Sequence, residues 1–180
     1  MADPFELLGL EARFELDLAA LEARQRELSR ALHPDRYAGR GSAERRQALS
    51  RAIEVNDAVR LMKDPLRRAE ALLAKHGVQL HETDAGAQPS QAFLMDVLEL
   101  REELGNAQRR ADLAKVGRLA QGFKESETKS LADLAQRFAA LPPNQNWSWA
   151  EVEPITHKLG ELRYLRRLLD EANAIQDELG

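Results

Sequence analysis

Leu28-Ser29-Arg30-Ala31-Leu32-His33-Pro34-Asp35-Arg36-Tyr37-Ala38-Gly39-Arg40-Gly41-Ser42 is the stretch on which the fold turns. Its first residues close an amphipathic segment, since Leu18, Leu21, Leu28 and Leu32 recur on one helical stripe between Asp17 and Leu32. Pro34, Gly39 and Gly41 break that period, and Ser42 to Lys63 resumes it with Leu49, Ile53, Val59 and Met62. The pattern predicts two antiparallel helices joined at a bend. Asp64-Pro65 stops the second of them, a short third helix is expected over Leu66 to Lys75, and Pro4 to Leu8 forms a small element ahead of the pair.

Working outward, the helical pattern lapses from His76 to Ser90, where Gly77, Gly86 and Pro89 gather among polar residues. We read residues 76–90 as a linker between a domain over 1–75 and another over 91–180. Ser90 is placed to cap a helix running to about Asn106. A longer one is expected from about Gln108 to Leu141, with Val116, Ala120 and Phe123 and then Leu131, Leu134 and Phe138 in helical register; the polar stretch Lys124 to Lys129 leaves open whether it is continuous. Pro142-Pro143 ends that segment. Ser148-Trp149-Ala150-Glu151 has the form of a capping box, and Pro154 is expected to delay the regular helix by a turn. In the last helix Leu162, Leu165, Leu169, Ala172 and Leu179 make a heptad-like seam, as suits one arm of a three-helix bundle. No period-two apolar run occurs, so the fold class expected is all-α.

Composition narrows the chemistry. Leu, Ala, Glu and Arg dominate, and an apolar fraction of 43% suffices for packed cores. The absence of Cys excludes disulfides, thiolate metal sites, a cysteine nucleophile and a Cys-ligated cluster. The start of the chain lacks a secretory signal and no apolar run is long enough to span a bilayer, so a cytoplasmic protein without a membrane partner is expected. Residues 1–75 carry 14 Lys/Arg against 13 Asp/Glu and residues 76–180 carry 12 against 17, which gives +1 and −5. A pI of 5.7 argues against nucleic-acid binding, which needs a basic field. His76, His81 and His157 are scattered and read as loop or surface histidines, so neither a metal nor a cofactor is expected. Trp147 and Trp149 read as packing residues.

At the bend, Pro34 fixes its own φ and pushes His33 out of helical geometry, presenting the flanking side chains in a preset arrangement. Asp35 then offers a carboxylate to a basic group on a partner. On the preceding helix Arg26 and Arg30 lie four residues apart and point away from the Leu stripe, with Arg24 nearer its flank. That face is either a solvated helix surface or a docking surface for an acidic partner. A hydrolase built on His33 and Asp35 would need a nucleophile, and no Ser, Thr or Cys nearby has a recognisable nucleophile context. The chain is not expected to be an enzyme.

Phe93-Leu94-Met95-Asp96-Val97-Leu98-Glu99-Leu100-Arg101-Glu102-Glu103-Leu104 carries the other informative pattern. Stepping about 100° per residue, Phe93, Val97, Leu100 and Leu104 form one stripe, while Leu94, Met95 and Leu98 fall on another side together with Glu102. One core cannot cover both. Either a second layer buries Leu94, Met95 and Leu98, or they form an exposed patch rimmed by Glu99 and Glu102.

The N-terminal half resembles a J-domain through Phe5-Glu6-Leu7-Leu8-Gly9-Leu10, His33-Pro34-Asp35-Arg36, Asn56-Asp57-Ala58 and Asp64-Pro65-Leu66-Arg67-Arg68-Ala69, although Leu32 and Arg36 stand where Tyr and Lys are common. The segment around Phe93 to Leu104, with Leu162-Arg163-Tyr164-Leu165, resembles the C-terminal domain of the HscB family of co-chaperones. Residues 124–154 match poorly. The resemblance implies a J-domain joined to a three-helix bundle in a roughly L-shaped molecule. It implies that His33, Pro34, Asp35 and Arg36, with Arg24, Arg26 and Arg30, engage a DnaK/HscA-type chaperone and stimulate its ATPase. It also implies that an IscU-type iron–sulfur scaffold docks on Leu94, Met95, Leu98, Glu99, Glu102 and Tyr164, with Asn106 where an acidic residue would extend the rim. Without Cys, any part in iron–sulfur assembly is indirect. A J-protein with a different client is the alternative, and self-association is not expected.

Overall fold

The computed structural model describes residues 3–80, 88–143 and 145–180. It separates into two compact units, Met1–Gly77 and Val78–Gly180. Among the described residues there is no strand. His81 and Gly86, both in the stretch read as a linker, lie outside the described residues.

In the first unit, α1 (Pro4–Leu8) starts where Asp3 accepts the Phe5 N–H at 2.9 Å and ends at Gly9, whose φ of +64° is left-handed. A Cβ at Gly9 would lie 3.3 Å from the Arg24 guanidinium, so glycine suits this corner twice over. Asp17 caps α2 (Leu18–Ala31) by accepting from Ala19 and Ala20 N–H. After the bend, α3 (Ser42–Lys63) runs back against α1 and α2. Asp64 closes it and at once caps α4 (Pro65–Lys75), accepting from the Leu66 N–H at 2.9 Å, with Pro65 at the first helical position. Phe5, Leu8, Leu21, Val55, Met62 and Leu72 are fully buried in this unit.

Two stripes read from the sequence need correction. Leu49 and Ile53 are 59% and 54% exposed, and Leu18 is exposed as well. The buried line of α3 passes through Ala48, Val55, Ala58, Val59 and Met62. Relative to Ala48, Leu49 and Ile53 lie roughly 100° and 140° round the helix. Small residues form part of this contact line, so ranking positions by apolar bulk chose the wrong side. His76, expected at the surface, is only 6% exposed where it ends α4.

Arg68 is the polar centre of this unit. Its Nε donates to the Phe14 carbonyl at 2.8 Å and a terminal nitrogen donates to that of Met62 at 2.6 Å, with the guanidinium 5.1 Å from the Phe14 ring centroid. Burial lowers its pKa, partly offset by Asp64.

In the second unit, Ser90 accepts the Phe93 N–H to cap α5 (Gln91–Arg109). A turn with Ala111 at φ +51° leads to Asp112, which caps α6 (Leu113–Ala139) by accepting from the Lys115 N–H at 2.9 Å. The helix expected from Gln108 therefore begins five residues later. It does not break over Lys124 to Lys129, where the Thr128 hydroxyl donates to the Lys124 carbonyl and Arg166 holds Glu127 at 2.8 Å. α7 (Trp149–Leu179) starts without the expected delay, because the Glu151 carboxylate accepts both the Ser148 N–H and its hydroxyl and fixes the first turn. Pro154 then sits inside the helix near its start. Trp147 is buried on Phe138 and donates to the Pro142 carbonyl, whereas Trp149 is exposed rather than packed. α6 and α7 pack along each other and α5 lies against both, around Val97, Leu104, Val116, Phe123, Leu168 and Ala172.

Removing the Arg68 donors leaves two carbonyls short of partners, so Arg68→Met is expected to lower unfolding free energy by about 2–4 kcal/mol, read as a fall in urea midpoint at unchanged slope. A pH effect arises at the ion pair between Lys75 and Asp3. Burial raises the Asp3 pKa, but hydrogen bonds from Lys75 and the Phe5 N–H outweigh it and hold the carboxyl below its usual range. The Asp3 and Glu6 hydrogen bonds raise Lys75. A depressed carboxyl stabilises above its unfolded pKa and ceases to as acid passes the folded one; a raised ammonium stabilises below its unfolded pKa and ceases to as base passes the folded one. Lys75→Met should therefore lower the melting temperature across neutral pH, with the gap from wild type closing in strong acid.

Candidate functional site

The bend is built by three local restraints. α2 ends at Ala31, Leu32 closes it through its N–H to the Leu28 carbonyl, and His33 is extended at φ −61° and ψ 133°. Pro34 then opens a 3₁₀ turn over Pro34–Tyr37. Its first bond runs from the Arg36 N–H to the His33 carbonyl at 3.0 Å. His33 accepts the Asp35 N–H at Nδ1, 3.3 Å away. That nitrogen is also 3.4 Å from an Asp35 carboxylate oxygen, which it meets as a donor when the ring is protonated. Asp35 itself points outward, with its side chain 90% exposed. The backbone of Asp35 is thus fixed by the turn, and its carboxylate is open to a cation. Arg36 reaches back to the Arg30 carbonyl at 3.5 Å, keeping its charge beside the bend.

Arg26 and Arg30 are exposed on α2, in one row with Glu22. Arg24 stands apart from them. Its Nε donates to the Leu8 carbonyl at 2.9 Å and its guanidinium pairs with Glu27 at 2.7 Å, so this side chain ties α2 to α1.

On α5 the structure separates the two apolar faces. Val97 and Leu104 are buried, and Phe93 and Leu100 pack partly against the same core. Leu94 is half-buried, while Met95 and Leu98 are 54% and 61% exposed. Glu99 and Glu102 are exposed beside them, and Asp96, which the sequence reading left out of the rim, is exposed too. Tyr164 is half-buried against the bundle core, with the Arg167 guanidinium 5.6 Å from its ring, so it is more a floor than a part of the outward row. Asn106 accepts from Arg109 at 2.6 Å and extends no acidic rim. Among the described residues no group of three or more His, Cys, Asp or Glu is arranged to hold a metal ion, and no helix is long and apolar enough to cross a membrane.

Comparison with known proteins covers both units. The family described as "HSCB C-terminal oligomerisation domain" matches residues 89–173. The co-chaperone protein HscB homolog of Haemophilus influenzae is 32% identical over 99% of this chain and 98% of its own. That of Pasteurella multocida is 30% identical over 98% of each. The chain belongs to the HscB family of co-chaperones. HscB from Vibrio cholerae, 31% identical, superimposes with a TM-score of 0.81 over 99% of both chains. Human HscB shares the fold at a TM-score of 0.80 and 24% identity, over 97% of this chain and 82% of that one. These HscB structures extend over both helical units, so the two units belong to one family fold.

Because Arg24 ties α2 to α1, Arg24→Ala should cost about 1–2 kcal/mol of stability, while Arg26→Ala stays within about 0.5 kcal/mol of wild type. Thermal unfolding of the two variants side by side reads the difference.

Proposed function

We propose that this protein carries an IscU-type iron–sulfur scaffold to a DnaK/HscA-type chaperone in the cytoplasm and stimulates that chaperone's ATPase. The observation that carries the reading is a pair of exposed surfaces of opposite charge on two separately packed units. Residues 1–75 act as the J-domain and residues 91–180 as the scaffold-binding domain, with 76–90 between them.

His33, Pro34 and Asp35 form a bend whose outward carboxylate meets a cationic group on the chaperone. Arg26, Arg30 and Arg36 steer an acidic chaperone surface towards it, so binding weakens as salt rises. Nothing at the bend supplies a nucleophile; the hydrolytic chemistry belongs to the chaperone, and the bend selects among its conformations. The scaffold sits on Leu94, Met95 and Leu98, where Met gives an adaptable apolar surface and Glu99 and Glu102 favour a basic rim on the partner. Holding both partners on one chain raises their effective concentration, which couples delivery to ATP turnover.

Two variants test the division. His33→Gln should abolish ATPase stimulation while scaffold affinity is retained, and Leu94, Met95 and Leu98 replaced together by Ala should weaken scaffold binding at least tenfold with basal stimulation intact. Steady-state ATPase rates and isothermal titration read the two effects. Normal scaffold binding by the triple variant would assign that surface to a different client.

A further inference from the structure

We propose that Leu49 and Ile53, on the outer face of α3, form an apolar anchor for the same chaperone that the bend engages; the inference rests on the function proposed above. Both side chains are more than half exposed, and they sit one helical turn apart, so they form a continuous patch. They stand outside the core line of the same helix, which passes through Ala48 and Ala58.

Their position relative to the bend follows from two contacts. Lys63 bridges to Glu22 at 3.1 Å, which ties one edge of α3 to one edge of α2. Stepping back from Lys63 by three or four residues gives Arg60, Asn56, Ile53 and Leu49; stepping forward from Glu22 by four gives Arg26 and Arg30. The two rows therefore border the same side of the hairpin. At the bend end, Leu32 and Tyr37 share a surface hollow with Ala48 and Arg51, so Leu49 is level with the bend. Leu49 and Ile53 face away from that hollow, so a partner covering them reaches the α2 arginines along the outer side of the hairpin and the bend at its end.

Charge selects the occupant. Arg45 and Arg46 are exposed at the near end of the patch and Arg60 lies beyond it. Of the nearby acids, Asp57 is 4.0 Å from Arg60, Glu54 accepts from Ser50 and Glu22 pairs with Lys63. The complementary partner is an apolar surface edged by carboxylates, in continuity with the acidic surface that Arg26 and Arg30 require. The patch on α5 has the reverse rim, so the two partners are sorted by sign as well as by shape.

The test uses the full chain with Leu49→Gln and Ile53→Gln combined, since Gln keeps side-chain length and helix propensity. Titrated into the DnaK/HscA-type chaperone with ATP, the variant should need about tenfold more protein for half-maximal stimulation and reach the wild-type plateau. His33→Gln, by contrast, lowers the plateau. An unchanged half-maximal concentration overturns the anchor, and so does a lowered plateau at unchanged concentration, which would make the pair part of the trigger. The acid-edged α5 face of a second copy offers similar chemistry. A concentration-dependent dimer in sedimentation, lost in the variant without any ATPase change, would assign the patch to self-association and overturn the proposal. Failure of the wild-type chain to stimulate the chaperone would instead remove the function itself, whatever Leu49 and Ile53 do.

Discussion

A helix in a small bundle presents only one side to its own core, and whatever apolar surface its sequence carries elsewhere stays outside. That constraint shapes both halves of this protein. α5 spends Phe93, Val97, Leu100 and Leu104 on the bundle and is left with Met95 and Leu98. α3 turns its alanines inward with Val55, Val59 and Met62 and is left with Leu49 and Ile53. In each case charge gathers at the edge of the surplus, mainly acidic on α5 with Asp96, Glu99 and Glu102 and mainly basic on α3 with Arg45, Arg46 and Arg60. Exposed apolar surface alone invites any partner; a charged border narrows the choice by making the wrong partner repulsive.

The bend depends on the rigidity of what lies under it. Leu21, Met62 and Leu72 pack the first unit, and Arg68 draws the loop at Phe14 and the end of α3 together through two carbonyls. An Arg in that place suits geometry better than energy: a planar fork reaches two acceptors at once, at the cost of desolvating a cation. The outward Asp35 carboxylate is therefore displayed at the end of a hairpin whose helices share a packed core.

Much of this was legible in the amino-acid order. Helix boundaries marked by short-range chemistry were readable, because a cap involves residues within one turn: Asp17 and Ser90 cap the helices they precede, and Asp64-Pro65 divides α3 from α4. The doubled face of α5 was readable because both of its stripes are made of large side chains. What escaped depends on neighbours distant in sequence. Nothing near Arg24 foretells that its guanidinium meets the carbonyl of Leu8, and nothing near His76 foretells its burial. The inward side of α3 escaped because contact there relies on small residues, whose weight in a periodicity is low although they set how close two helices come. Pro154 misled in the opposite direction, since the Ser148–Glu151 pair had already fixed the first turn before the missing N–H could matter.

Asp64 carries one further implication. It is the closing residue of α3 and the cap of α4 at once, its backbone N–H bonded to the Leu61 carbonyl while its carboxylate takes the Leu66 N–H. A single extended residue separates the two rods, with both of its backbone polar neighbours bonded, so the corner acts more as a weld than as a hinge. Strain applied at the far end of α4 travels into the hairpin instead of being absorbed at the joint, and the three helices around it yield together or not at all.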